Sequence, residues 1–148
     1  MAAGLLYLID PLGQIQKAND AKRKSDLDQL RTTLEVYYND NGRYPDYSAD
    51  PDPLFYRIKP AGGYIDWGSA WTAYNVTLPK DPASAQNYVY FASVDGQSYW
   101  LYASLQRSSD PQACNGGAAC SSLSTNSISS TACGTTCNYG ISSSNVSP

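Results

Sequence analysis

Ala18–Asn39 reads ANDAKRKSDLDQLRTTLEVYYN and is followed by Asp40-Asn41-Gly42-Arg43-Tyr44-Pro45. Between Leu12 and Asn39 there is no proline, and no glycine after Gly13. Leu27, Leu30, Leu34, Tyr37 and Tyr38 recur at spacings of three and four, the period of a helix with one apolar side. Ile15 and Ala18 extend that stripe towards the N-terminus, but Asn19 to Asp26 is almost wholly polar. The pattern predicts a helix over 12–39. Its C-terminal half has a face for a core, and its N-terminal half projects from the globule unless another chain covers it. Asn41-Gly42 ends the helix, because either residue adopts the left-handed conformation of a C-terminal cap. Asp10-Pro11 fits a helix start or a kink.

Ahead of that helix stands MAAGLLYLI, residues 1–9. As a helix nine residues span about 14 Å, against a hydrocarbon core of about 30 Å. The segment is no membrane span as it stands, and it lacks the basic start and A-x-A site of a signal peptide. It reads either as the start of an ordinary helix or as the end of a longer hydrophobic one.

Behind the helix, residues 45–86 hold six prolines and the apolar anchors Leu54, Phe55, Tyr56, Ile58, Tyr64, Ile65, Trp67, Trp71 and Tyr74. This predicts a long loop packed by its own aromatics, with a short helix near Pro53 to Ile58; so long a loop marks a functional or interface surface. Two strands follow, Tyr88 to Val94 and Gln97 to Leu105, with Asp95-Gly96 as a two-residue hairpin signal between them. Tyr99, Leu101, Ala103 and Leu105 lie on one face and Trp100, Tyr102 and Ser104 on the other; one of these faces can pack on Leu27, Leu30, Leu34 and Tyr38. A two-stranded hairpin alone is marginal, so a third strand is expected, and Asn138 to Ser143 is its best candidate.

The chain has 148 residues, a net charge of −3 and no histidine. That excludes Ser-His-Asp and Cys-His catalysis, histidine-ligated zinc and axial-histidine haem. Asp50, Asp52 and Asp66 near Trp67 and Trp71 bring glycoside hydrolysis or sugar binding to mind, but the small sheet leaves little room for a cleft of set width. No catalytic residue is proposed, and the chain is read as no enzyme. Lys17, Lys22, Arg23 and Lys24 are diluted by Asp20, Asp26 and Asp28, so no specific nucleic-acid binding is predicted. This mixed charge either pairs between subunits or forms a solvated face.

Pro111 to Pro148 contains no Asp, Glu, Lys or Arg and holds all four cysteines, Cys114, Cys120, Cys133 and Cys137. Their spacings are wider than zinc knuckles, and no C-x-x-C occurs. Disulfides and an oxidising compartment are expected. Of the three pairings, Cys114 with Cys120 and Cys133 with Cys137 would each close a short loop containing glycine; the others stay open.

Taken in order, the apolar start, the long helix, Asn41-Gly42-Arg43-Tyr44-Pro45, the aromatic loop, Leu78-Pro79-Lys80-Asp81-Pro82 and the hairpin resemble the type IV pilin superfamily. The likeness is to major pseudopilins of type II secretion and pilins of related plan, over about residues 3–105. Cys137-Asn138-Tyr139-Gly140-Ile141-Ser142-Ser143 also resembles a common ending of pilin-like proteins. The resemblance implies an α+β fold, a long N-terminal α-helix packed on a small antiparallel sheet, shaped as a lollipop with a disulfide-bounded C-terminal loop. It divides the chain into a helical stem (1–40), a head with aromatic loop and hairpin (41–106) and a Ser/Cys-rich disulfide region (107–148). MAAGLLYLI resembles the C-terminal end of the family's hydrophobic helix, whose first part, with its glycine-phenylalanine cleavage site and glutamate, is expected to precede it.

The function implied is structural: the major subunit of an extracellular type IV pilus or pilus-like filament, a helical homopolymer. Leu5, Leu6, Leu8, Ile9, Leu12 and Ile15 would form the filament core, and Leu27, Leu30, Leu34 and Tyr38 would join helix to sheet. The partners implied are other copies of the chain, a prepilin peptidase, an assembly ATPase and a platform protein, with the cytoplasmic membrane as host before assembly. Adhesion, motility, DNA uptake and protein secretion are the roles such filaments serve. The first alternative is a type II secretion major pseudopilin, whose calcium-binding loop is acidic; here that region has only Asp110, and no cofactor is expected outside that alternative. The second is a secreted carbohydrate-binding module using the aromatic loop.

Overall fold

The computed structural model describes residues 10–49 and 56–148. Helix α1 spans Pro11–Asn41, about 46 Å at 1.5 Å per residue. Asp10 caps its start, with Oδ1 accepting the Gly13 N–H at 2.9 Å. Gly42 caps its end at φ 72°, and its N–H donates to the Tyr38 carbonyl at 2.7 Å.

The 45–86 region is more ordered than its prolines predict. Strand β1 (Asp46–Ser48) pairs antiparallel with β2 (Arg57–Lys59), and β3 (Ala70–Trp71) with β4 (Val76–Thr77) across a 3₁₀ turn at Thr72–Tyr74. The helix expected near Pro53 to Ile58 is not formed at its end, since Arg57 and Ile58 belong to β2; Pro53 to Phe55 lie outside the described residues. Strands of two or three residues are too short to show a period-2 pattern.

The main sheet is antiparallel, β5 (Val89–Ala92), β6 (Tyr99–Ala103) and β7 (Tyr139–Ser142), in the order β5-β6-β7. The third strand thus falls where the sequence placed it. The reversal between β5 and β6 also sits at Asp95-Gly96, but its loop holds four residues, 94–97, closed by Ser93 N–H to the Ser98 carbonyl at 2.9 Å. Asp95 Oδ1 accepts from Ser93 Oγ at 2.6 Å and from the Gln97 N–H at 3.0 Å, which stabilises the wider turn.

Both faces of the sheet are covered. On one, Tyr88, Tyr90, Tyr99, Leu101, Ala103, Tyr139 and Ile141 form a core with Leu27, Leu30 and Leu34 of α1 and with Tyr44, Ile58, Trp71 and Leu78. On the other, Val89, Trp100 and Tyr102 pack with Cys120, Leu123, Ile128, Ala132, Cys133 and Cys137. The Ser/Cys-rich segment is therefore a third layer, with a short helix α2 (Ser122–Thr125) and disulfides Cys114–Cys120 and Cys133–Cys137. It has few apolar residues for its length, and two short covalent loops compensate for a core this thin.

Candidate assembly surface

Helix α1 meets the head first at its polar stretch. Asp20 and Arg23 are 2% and 0% exposed, and Asp26 is also buried. This corrects the expectation that Asn19 to Asp26 projects: Asp20, Arg23 and Asp26 are turned into the chain's own head, while Ala21, Lys22 and Ser25 stay exposed. The Arg23 guanidinium grips Asp81 as a fork, Nε to Oδ2 at 2.9 Å and Nη2 to Oδ1 at 2.8 Å. Its Nη1 donates to Asp20 Oδ1 at 2.9 Å, and Nη2 also donates to Gln86 Oε1 at 2.6 Å. Such bidentate, charge-assisted bonds are the strong kind and fix geometry as well as energy. Burial works to lower the Arg23 pKa, but Asp81 and Asp20 outweigh it and the net direction is up.

Other segments converge on the same two turns. Asp20 accepts the backbone N–H of Gln106 at 2.8 Å and of Arg107 at 3.0 Å, which ties the chain leaving β6 to the helix. Asp26 Oδ2 accepts from the buried Tyr88 hydroxyl at 2.6 Å and from Lys22 Nζ at 2.6 Å. Lys24 Nζ reaches Asp110 Oδ2 at 2.6 Å. Burial raises the Asp110 pKa, but Lys24 and the Gln112 N–H pull it lower still, so it ends below the usual carboxylate range.

The two segments that carried the resemblance are both anchored to α1. Leu78 enters the core and Asp81 receives the Arg23 fork, while also accepting the Ala83 N–H at 2.8 Å. The Tyr44 ring packs 4.7 Å from Tyr38 and 4.7 Å from Tyr99, and its hydroxyl donates to Glu35 Oε1 at 2.9 Å. The next residue, Pro45, gives its carbonyl to the buried Tyr90 hydroxyl at 2.7 Å.

N-terminal to the Arg23 cluster, α1 leaves the head. Leu12 is 65% exposed and Ile15 58%. Leu12 lies 18 residues, five helical turns, before Leu30, so it continues the core-facing side with no head to cover it. Leu5, Leu6, Leu8 and Ile9 lie outside the described residues. Leu27, Leu30 and Leu34 are core residues as placed above, and Tyr38 packs at the core's edge. Among the described residues no helix is long and apolar enough to cross a membrane.

The aromatic loop does not present free stacking platforms at its tryptophans. Trp71 is 3% exposed, with Tyr37 at 5.6 Å and Tyr74 at 4.9 Å, and Trp67 packs edge-on against Tyr88 at 5.8 Å. Asp66 is held by Arg57 Nη1 at 2.6 Å; Asp50 and Asp52 lie outside the described residues.

A long helix with its C-terminal half packed on a small antiparallel sheet and Leu12 and Ile15 exposed beyond it is a pilin-like α+β arrangement. Residues 11–110 match the family model of type II secretion system protein G, and the chain belongs to that family, the major pseudopilins of the type IV pilin superfamily. The family is structural, not enzymatic. Comparisons with curated proteins and with solved structures give no match.

Proposed function

We propose that the chain is the repeating subunit of an extracellular helical filament of the type IV pilus plan, held in the cytoplasmic membrane before assembly. The observation that carries this is the uncovered apolar pair Leu12 and Ile15 of α1, on the side of the helix that the head buries at Leu27, Leu30 and Leu34, with the Arg23 cluster between them. Apolar surface that a subunit cannot cover itself is covered by its neighbours, and repeated contacts that do not close on themselves build a filament. Leu5, Leu6, Leu8 and Ile9 extend that surface in the sequence. A prepilin peptidase, an assembly ATPase and a platform protein are the machinery this reading calls for. The test is intact mass and N-terminal sequencing of the native protein, with electron microscopy of labelled cells. A further run of about sixteen apolar residues headed by an N-methylated phenylalanine, on a protein found in filaments, is the expected result. A native protein that begins at Met1 and stays monomeric overturns it.

Pilus and secretion pseudopilus are two versions of this function. The family match favours the pseudopilus. The Lys24–Asp110 pair favours a pilus that needs no calcium, because the one acid of that region already has its own cation at 2.6 Å. Thermal melts with calcium and with a chelator separate them: superimposable curves support the pilus, and a calcium-dependent rise in Tm supports the pseudopilus.

A further inference from the structure

One flank of α1, beside the head, carries two opposite charges with no ion-pair partner among the described residues, Lys17 and Glu35. Both are exposed. They are 18 residues apart, five whole turns, so they project along one line of the helix about 27 Å from each other. Between them the line runs past exposed Ala21 and past Lys24, which Asp110 of the head takes up at 2.6 Å. It also passes Asp28 and Arg31, which neutralise each other at 3.6 Å. The Tyr44 hydroxyl holds the Glu35 carboxylate in place at 2.9 Å without cancelling its charge. Tyr44 thus orients Glu35, and the charges between the two ends are already paired, but within one chain Lys17 and Glu35 are too far apart to meet.

We propose that this face is where a second, parallel copy of the chain registers, with Lys17 of one copy against Glu35 of the next. The proposal rests on the filament reading, and it adds the axial step and the residues that set it. Moved by five turns along its own axis, a parallel copy brings its ammonium to the first copy's carboxylate. Each copy then offers a free Glu35 to one neighbour and a free Lys17 to another, so the contact is heterologous and does not close. An antiparallel pair would satisfy both charges at once and stop at a dimer.

Zero-length carbodiimide cross-linking of native filaments tests the contact, because two groups about 27 Å apart in one chain join only between chains. The expected product is a Lys17–Glu35 cross-linked peptide. In cells expressing the full-length protein, Lys17→Glu and Glu35→Lys alone should each lower the yield of sheared filaments by roughly tenfold or more, and the double reversal should restore it. Glu35→Lys also removes the acceptor of the Tyr44 hydroxyl, so Glu35→Gln, which keeps an acceptor there, is the folding control: it should melt with the parent and still lower the filament yield, as Lys17→Glu does. The register is overturned if wild-type filaments form and the single reversals leave the yield alone, if Lys17 cross-links to a different protein, or if the product is a closed dimer. Absence of wild-type filaments instead brings down the filament reading, and this proposal with it.

Discussion

At the scale of single residues, Arg23 decides where the helix stops belonging to the head. Its fork to Asp81 and its bond to Asp20 are shut off from water, and its bond to Gln86 is part-buried. A buried ion pair is a weak stabiliser compared with apolar packing, yet removing one partner is severe, because the other is left charged and dry. Arg23→Met is therefore expected to lower stability by about 3–5 kcal/mol in urea unfolding. Arg23→Lys keeps the charge but cannot reproduce the planar fork, so it should fall between Met and the parent. Adding Asp81→Leu to Arg23→Met should recover part of the loss; a double variant no better than the single one would show that the orphaned carboxylate is not the cause. Gly134 is a second decisive position. It has φ +88°, and a Cβ there would lie 2.1 Å from the backbone oxygen of Ala85. Gly134→Ala should cost at least about 1–3 kcal/mol and lower the Tm, since backbone rather than a movable side chain must give way.

At the scale of elements, α1 was legible where its reason is local and illegible where it is not. Leu27, Leu30 and Leu34 announce a core face through spacing alone, and Gly42 announces the end through its backbone freedom. The polar turns Asn19–Asp26 look the same in sequence whether water, a neighbour or the chain's own head receives them. The head does, through Asp81, 58 residues beyond Arg23, and Tyr88, 62 beyond Asp26, and no local pattern encodes such a distance. The closing strand was legible from Asn138 onward because it resumes β-forming residues after a polar stretch. That this stretch lies under the sheet's second face was not legible, because Leu123, Ile128 and the cysteines are too sparse to show a period. Their layer predicts a graded response to reduction. The Cys133–Cys137 loop is short, so replacing both cysteines with serine should cost about 2 kcal/mol by chain entropy, with added loss from two buried, weakly packed hydroxyls. Hydrogen exchange should quicken first in the 114–137 segment, while α1 and β5–β6 stay protected. Uniform loss of protection would show one cooperative unit instead.

At the scale of the whole molecule, the head is held together by phenols, and that makes its stability sensitive to alkali. Tyr88, Tyr90, Tyr99 and Tyr139 line the core against α1, and Tyr102 lies on the opposite face of the sheet. Burial, the largest cause in each, raises all five phenol pKa values above the ordinary 10, Tyr99 to about 12. Carboxylates add to the effect, Asp26 on Tyr88 and Glu35 on Tyr99. A raised folded-state pKa means that the native chain keeps its protons when the unfolded chain has lost them. The associated stability is fully present below pH 10, and is lost as pH climbs from the unfolded phenol value through the folded one. The urea midpoint should thus be insensitive to phenol ionisation near neutrality and fall steadily from about pH 10 upward. Tyrosinate absorbance should lag behind that of the urea-unfolded chain until the fold gives way, then catch up in the same step as the loss of helix. Tyr88→Phe should weaken the alkaline slope but lower stability at neutral pH by about 1.5–3 kcal/mol, since the hydroxyl's bond to the Asp26 carboxylate is lost. Full ionisation of all 13 tyrosines near pH 10 with the helix signal intact would mean that these phenols are open to water, and that the aromatic core does not hold the head on its helix.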